Sequence, residues 1–310
     1  MKKILLLIAF FLPFVVSACC DDKNEPIASE QDPYSDSIRT DSIKFSPYKT
    51  LPRALSQAMA VYDDYVLLFN YDNNRASAYL YKLNNGAFLA TLSLPNSTFK
   101  RPHCNAASFG NVFNSPNSIL PLLYVSQWDN DSEHGCLVYD ITLSNDKYSV
   151  DLVQTILSTS VATATIGAGQ TDWVVDPHGY IYSIGYLLND GAHTEANNKT
   201  MIAKYKLPAI NDGSVVTFSN ADVLDHFDIP IFTYRQDLCF ENGRILMLTG
   251  MTNSTAARRL VFINPDENSI SSLISLDFIN EEPEGVGVAD GKILIGFRED
   301  KVIYHLELVE

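Results

Sequence analysis

One pattern recurs along the chain and limits the folds open to it: a short apolar run, a tight polar turn, and a second apolar run able to pair back on the first. It occurs at 58–69 with Asp63-Asp64 at the turn, at 173–182 with His178-Gly179, at 238–248 with Asn242-Gly243, and at 285–295 with Asp290-Gly291. Asn-Gly and Asp-Gly suit a two-residue hairpin because both central residues adopt positive φ there. A looser copy has its first run at 105–109 and its second at 121–126, with an insertion between them. Beyond the first residues no 3.6-residue apolar period is sustained, so the body reads as all-β.

Each copy is followed by a third run with an aromatic at a matching place: Tyr81, Tyr139, Tyr205, Phe262 and Tyr304. A fourth run follows four of them, as at 88–94 and 270–276. The unit is therefore a four-stranded antiparallel meander, present five times, which is the signature of a β-propeller. One meander cannot bury both its faces, so the copies must stack on one another. A two-sheet sandwich also places strands at short regular intervals, but the fixed order of strand, turn, strand and aromatic favours the propeller. The expected fold is all-β with five four-stranded blades, or six if 209–232 holds a divergent one. The fifth unit reaches the end of the sequence at Glu310 one strand short. The alternating segment Ser42-Ile43-Lys44-Phe45-Ser46 can supply the missing strand, which closes the ring and removes two exposed sheet edges.

Residues 42–310 read as one domain, since the 14 prolines and 15 glycines are scattered rather than clustered. Residues 1–18 differ. Lys2 and Lys3, an apolar run from Ile4 to Val16 broken by Pro13, and small residues ahead of Cys19 make a lipoprotein signal peptide, with Cys19 as the lipidation site. The run is short of the roughly 20 residues a spanning helix needs. Residues 19–41 are polar and aperiodic, as a flexible tether would be. Without the leader, 20 of the 22 Lys+Arg remain against 37 Asp+Glu, and the formal charge moves from −15 to −17. No basic run exceeds Arg258-Arg259, so nucleic acid is not an expected partner; solubility accounts for the acidity. Cys104, Cys136 and Cys239 have neither zinc spacing nor an even count and read as buried free thiols.

Cys19-Cys20-Asp21-Asp22-Lys23 resembles the acidic tag of Bacteroidetes lipoproteins sent to the outer face of the outer membrane. Asp36-Ser37-Ile38 and Asp41-Ser42-Ile43 resemble the O-glycosylation site of that phylum. With the signal, these motifs make the first 43 residues resemble a Bacteroidetes-type surface lipoprotein, which implies a lipid-anchored protein exposed on the cell surface. The body is similar in loose architecture to TolB-like propellers, and no motif carries catalytic residues across.

In a propeller the first strand of each blade lines the central channel, and ligands sit where those strands begin. The residues there are Ser56-Gln57, His103-Cys104-Asn105, Gln170-Thr171-Asp172, Arg235-Gln236-Asp237 and Glu282-Pro283-Glu284. Aligned on the turns, Gln57, Thr171, Gln236 and Glu284 share one step, and Asp172 and Asp237 the next. Gln57, His103, Asn105, Gln170, Arg235, Gln236 and Glu282 are the expected ligand-binding set for a polar molecule. Asp172, Asp237 and Glu284 are the candidate acid–base groups if the protein cleaves glycosides. Asp129, Asp131 and Glu133 alternate in a loop that could hold Ca²⁺, although it lacks the glycine and distal glutamate of an EF-hand. Trp128 and Trp173 suit either a sugar platform or the core. No phosphate-binding, dinucleotide or Gly-x-Ser-x-Gly fingerprint is present, and no other metal or cofactor is expected. The reading that follows is a monomeric surface lipoprotein that binds a glycan or a protein at the channel mouth without catalysis. A glycoside hydrolase or lyase, or an envelope scaffold, are the alternatives.

Overall fold

A computed structural model of the chain describes residues 43–72, 75–95, 103–128, 135–159, 171–187, 198–231, 233–251 and 257–308. The leader, Cys19 and the tether lie outside the described residues.

The chain forms five blades. The first contains β2 (Met59–Tyr62), β3 (Tyr65–Asp72), β4 (Arg75–Lys82) and β5 (Phe88–Ser93), in that order from the axis outward. The second contains β6 (His103–Phe109), β7 (Leu123–Trp128), β8 (Cys136–Ser144) and β9 (Lys147–Ser158). The third is β10 (Asp172–Val175), β11 (Tyr180–Leu187), β12 (Lys199–Lys206) and β14 (Val223–Ile229). The fourth is β15 (Arg235–Glu241), β16 (Arg244–Thr249), β17 (Arg259–Asn264) and β18 (Ser269–Ser275). The fifth is β19 (Pro283–Ala289), β20 (Lys292–Phe297), β21 (Val302–Leu308) and, on its outer edge, β1 (Ile43–Thr50).

Segment 209–232 holds no sixth blade. It carries β13 (Val215–Phe218), which pairs in parallel with the outer edge of the second blade, and then returns as β14 to complete the third. This excursion straps the two blades together, and Gln154 Nε2 fastens it by donating to the carbonyls of Ala209 and Gly213, both at 2.9 Å.

Five apolar clusters hold the blades, one at each junction. The first blade packs on the second through Leu67, Phe69, Val125 and Tyr139. The second meets the third through Tyr124, Val138, Trp173 and Tyr205. Ile184, Ile202, Leu238 and Met247 join the third to the fourth, and Leu248, Phe262, Ile293 and Ile295 the fourth to the fifth. The last cluster, with Met59, Leu68, Tyr81 and Leu294, joins the fifth blade to the first, so the wheel is closed. The third-strand aromatics Tyr81, Tyr139, Tyr205 and Phe262 are at most 1 % exposed, which explains their recurrence: each fills a wedge between neighbouring blades. Tyr304 is only half-buried and instead donates to Asp300 Oδ2 at 3.0 Å.

The turns behave as their residues require. Asn242-Gly243 and Asp290-Gly291 have φ of 48°, 75°, 51° and 70°, the positive values of a two-residue hairpin. Gly285 has a different reason to lack a side chain: a Cβ there would stand 2.5 Å from Met59 Cβ. The glycine lets β19 of the last blade approach β2 of the first.

The N-terminal strand makes the expected closure. Ile43 pairs with Leu308 and Thr50 with Val302, antiparallel along β21. Ile43 is buried, Phe45 packs edge-on against Phe297 at 5.8 Å, and Lys44 pairs with Glu307 at 2.6 Å. Deleting residues 43–50 removes roughly 4 kcal/mol of apolar burial and exposes β21 as an edge. The expected outcome is a thermal midpoint lower by roughly 10 °C; an unchanged calorimetric midpoint would show that the strand does not close the wheel.

Candidate functional site

The five inner strands begin at one mouth, and polar residues cluster at and just inside it. Their centre is Asp237 of β15. Its Oδ2 accepts the backbone N–H groups of Met59 at 3.0 Å and Val286 at 2.9 Å, and its Oδ1 accepts that of Ala107 at 3.1 Å. One side chain thus ties together the inner strands of four blades. Burial pushes its pKa well above the usual carboxylate range, against the N–H groups of Val286, Met59, Leu238 and Ala107, which pull it down.

The remaining blade enters through Asp172 of β10. Arg235 Nε lies 2.8 Å from Asp172 Oδ2, with both side chains 1 % exposed. Asn105 Nδ2 donates to Asp172 Oδ1 at 2.9 Å and to the Arg235 carbonyl at 3.3 Å. The Arg235 guanidinium rests 4.0 Å above the Tyr186 ring, whose hydroxyl donates to the Thr233 carbonyl at 3.0 Å. A second polar group lies at the fifth blade. Arg298 Nη1 pairs with Glu282 Oε2, and Gln236 Nε2 donates to Glu282 Oε1, each at 3.1 Å. Gln236 also donates to the Gly250 carbonyl.

Three side chains at this mouth are buried but unspent. Gln57 is 8 % exposed and Glu284 3 %, and neither makes a hydrogen bond among the described residues. The buried Thr171 Oγ1 also has no partner. These are three of the four residues that share one step of the repeat. Burial, followed by the charge of Glu282, raises the Glu284 pKa to about 9; Arg298 opposes the shift and Asp237 adds to it. At neutral pH this carboxyl is therefore protonated.

β-Bulges shape the mouth. The ladder slips between Cys104 and Ala107, between Arg235 and Asp237, and between Pro283 and Gly285. Each slip inserts residues without direct partners, namely Asn105-Ala106, Gln236 and Glu284, and a bulge re-aims the side chains it carries. The far end of the channel is different. A cavity of about 80 Å³ begins at Met59, Ala107 and Val286, where Val61, Phe109, Val175 and Val288 line it together with Ser108 and Glu241. The polar mouth is the candidate site.

The structure thus brings Asn105, Asp172 and Arg235 into one network and Gln236 and Glu282 into another, with Gln57 and Glu284 beside them. His103 opens β6, and its side chain is outside the description, as are Gln170, Asp129, Asp131, Glu133 and the Trp128 side chain. Trp173 is no sugar platform: it is fully buried between the second and third blades, against Tyr205 and Phe218. Cys104 and Cys136 are buried free thiols and Cys239 a half-buried one; burial pushes the Cys104 thiol up to about 12. No group of three His, Cys, Asp or Glu residues positioned for a metal occurs among the described residues. Arg298 and Tyr186 were not anticipated. The Asp290-Gly291 turn fixes the pairing of β19 with β20, but only the bulge at Glu284 brings Glu282 opposite Arg298.

No family model matches the chain, and neither does any curated protein. Solved structures share the fold. The glutaminyl cyclase of Myxococcus xanthus is 11 % identical with a TM-score of 0.50, over 86 % of this chain and 96 % of that one. An oxidoreductase (glucose dehydrogenase) from Thermus thermophilus is 9 % identical with a TM-score of 0.43, over 86 % and 100 %. At 11 % identity the likeness to the cyclase extends to the propeller architecture alone.

Asp237→Asn tests the central tie. Whichever way the amide turns, its Nδ2 faces at least one backbone N–H and leaves that donor unsatisfied. A loss of about 2–4 kcal/mol in urea unfolding is expected, and a loss below about 0.5 kcal/mol would contradict the tie.

Proposed function

We propose that this protein is a non-catalytic binding module that takes a polar ligand, a glycan in the first instance, at the mouth where the inner strands begin. One observation carries this reading: Gln57, Thr171 and Glu284 keep unused hydrogen-bonding capacity there although they are buried. Buried polar atoms are nearly always satisfied; Thr171 Oγ1 is not, and with Gln57 and Glu284 at equivalent steps of the repeat it suits a ligand that brings the partners.

The hydrolase alternative assigned acid and base roles to Asp172, Asp237 and Glu284. A general acid or base must reach the proton it moves. Asp172 and Asp237 each use both oxygens on protein donors in the interior, so the pair of working carboxyls such chemistry needs is not offered by this set. The scaffold alternative needs a large exposed apolar patch. Among the described residues the exposed large apolar side chains are Phe88, Val112, Phe113, Val215, Leu224, Tyr234 and Phe278, of which only Val112 and Phe113 are neighbours in sequence.

The proposal keeps the anchor suggested by the resemblance of residues 1–43: a lipid on Cys19 holds a TolB-like wheel at the outer membrane, exposed to the cell surface. Cys19→Ser is expected to move the protein from the membrane fraction to the soluble fraction and to end labelling by radioactive palmitate. Continued labelling would remove the anchor from the proposal.

A glycan array probed with residues 21–310, with and without calcium, tests the binding function. The expected result is calcium-independent binding without product formation. Gln57→Ala and Glu284→Ala should each weaken it about tenfold, the worth of one hydrogen bond of about 1.4 kcal/mol. Release of shortened sugars from a bound glycan would overturn the non-catalytic reading, and a calcium requirement would direct attention to Asp129, Asp131 and Glu133.

A further inference from the structure

The chemistry of the unspent groups narrows the ligand class. Glu284 stands on the bulge of β19, next to Gly285, which abuts Leu55 and Met59. Gln57 lies between those two residues in sequence, so Glu284 and Gln57 belong to neighbouring segments of the fifth and first blades. The charged groups around Glu284 are Glu282 on the approach to its own strand, Arg298 beyond β20, and Asp237 on β15. The one cation among them, Arg298, is paired with Glu282.

Resting on the mouth-binding reading above, we infer that the ligand group seated there is uncharged and carries hydroxyl or amide functions, with Glu284 as its hydrogen-bonding partner and the residue that sets this specificity. Among the described groups around Glu284, an anionic group would face Glu282 and Asp237, and the one cation, Arg298, is already paired with Glu282. A cationic group would have to ionise a carboxyl that burial and two neighbouring acids keep protonated. An uncharged hydroxyl or amide meets neither cost. A protonated carboxyl offers one O–H donor and a carbonyl acceptor, the Gln57 amide offers both roles, and the Thr171 hydroxyl does the same. Sugar hydroxyls and N-acetyl groups likewise both donate and accept.

Glutamine imitates a protonated glutamate but cannot ionise, and this supplies the test. The full-length protein in detergent is titrated with neutral trisaccharides of the cello, xylo, manno, galacto and chito series, and with two charged counterparts, deacetylated chitotriose and trigalacturonate. At least one neutral trisaccharide is expected to bind at pH 7 and neither charged one. Between pH 7 and pH 10 its affinity for the wild type should fall about tenfold, as expected for loss of a proton near pH 9. Glu284→Gln should retain binding and show no such fall, whereas Glu284→Ala should bind about tenfold more weakly than the wild type does at pH 7, at both pH values. A charged trisaccharide binding more tightly than its neutral counterpart would overturn the inference and leave the mouth reading standing. So would wild-type affinity that holds to pH 10, or Glu284→Gln weakening as much as Glu284→Ala. Failure of every trisaccharide would overturn both.

Thermal melts without ligand examine Glu284 itself. Its pKa is raised from about 4.3 in the unfolded chain to about 9 in the folded one. The stability contributed by the bound proton is complete below the lower value and is lost as pH rises toward the upper one. The midpoint of the wild type should therefore fall relative to Glu284→Gln between about pH 5 and pH 9. Parallel profiles would show that Glu284 is ionised throughout, which overturns its role as a neutral donor.

Discussion

A single carboxyl at the axis constrains the wheel. Asp237 accepts backbone N–H groups from the inner strands of three other blades, so those strands must stand in a fixed register about it. Inner strands in a propeller point their N–H groups toward a narrow axis where water has little access, and such donors must find acceptors. Asp237 meets that demand for three blades, and the Asp172–Arg235–Asn105 network binds the third blade to the second and fourth. Polar bonding at the hub and apolar wedges between the blades are complementary. The wedges set how the blades lean on one another, and the hub sets how far each can slide along the axis.

That division explains where function is placed. Asp237 spends its oxygens on the fold, and beyond it the channel holds a small cavity whose lining mixes apolar side chains with Ser108 and Glu241. At the mouth, hydrogen-bonding capacity is left over from folding at Gln57, Thr171 and Glu284. There the bulges at Gln236 and Glu284 interrupt the ladders and free side chains from strict alternation. Glu284 is held neutral by the same features that crowd it: burial, and the nearness of Glu282 and Asp237. That crowding is the basis on which recognition of an uncharged polar group is proposed.

Much of the fold was legible because it follows local rules. Asn242-Gly243 and Asp290-Gly291 mark hairpins through their positive φ, and Tyr81, Tyr139, Tyr205 and Phe262 recur because each fills one of four junctions between blades. The missing strand of the last unit pointed to the segment around Phe45. The extra strand at 215–218 was not legible, since a short parallel pairing with a distant strand leaves no periodic trace. Within the site, alignment on the turns placed Gln57, Thr171, Gln236 and Glu284 together. It could not separate Gln236, which is bonded, from Gln57, which is not. Nor could it foresee Arg298 opposite Glu282, because the one-residue slip that pairs them has no marker in the sequence.

The sequence by itself determined the meander, its fivefold repetition and the strand that completes the ring, because turn chemistry and alternation act between residues close along the chain or through a repeated pattern. Only the tertiary structure decided which of the polar residues at the mouth serve the fold and which remain available to a ligand. That choice depends on contacts across the axis between residues as far apart as Met59 and Asp237, where the geometry of five converging strands sets each donor–acceptor distance.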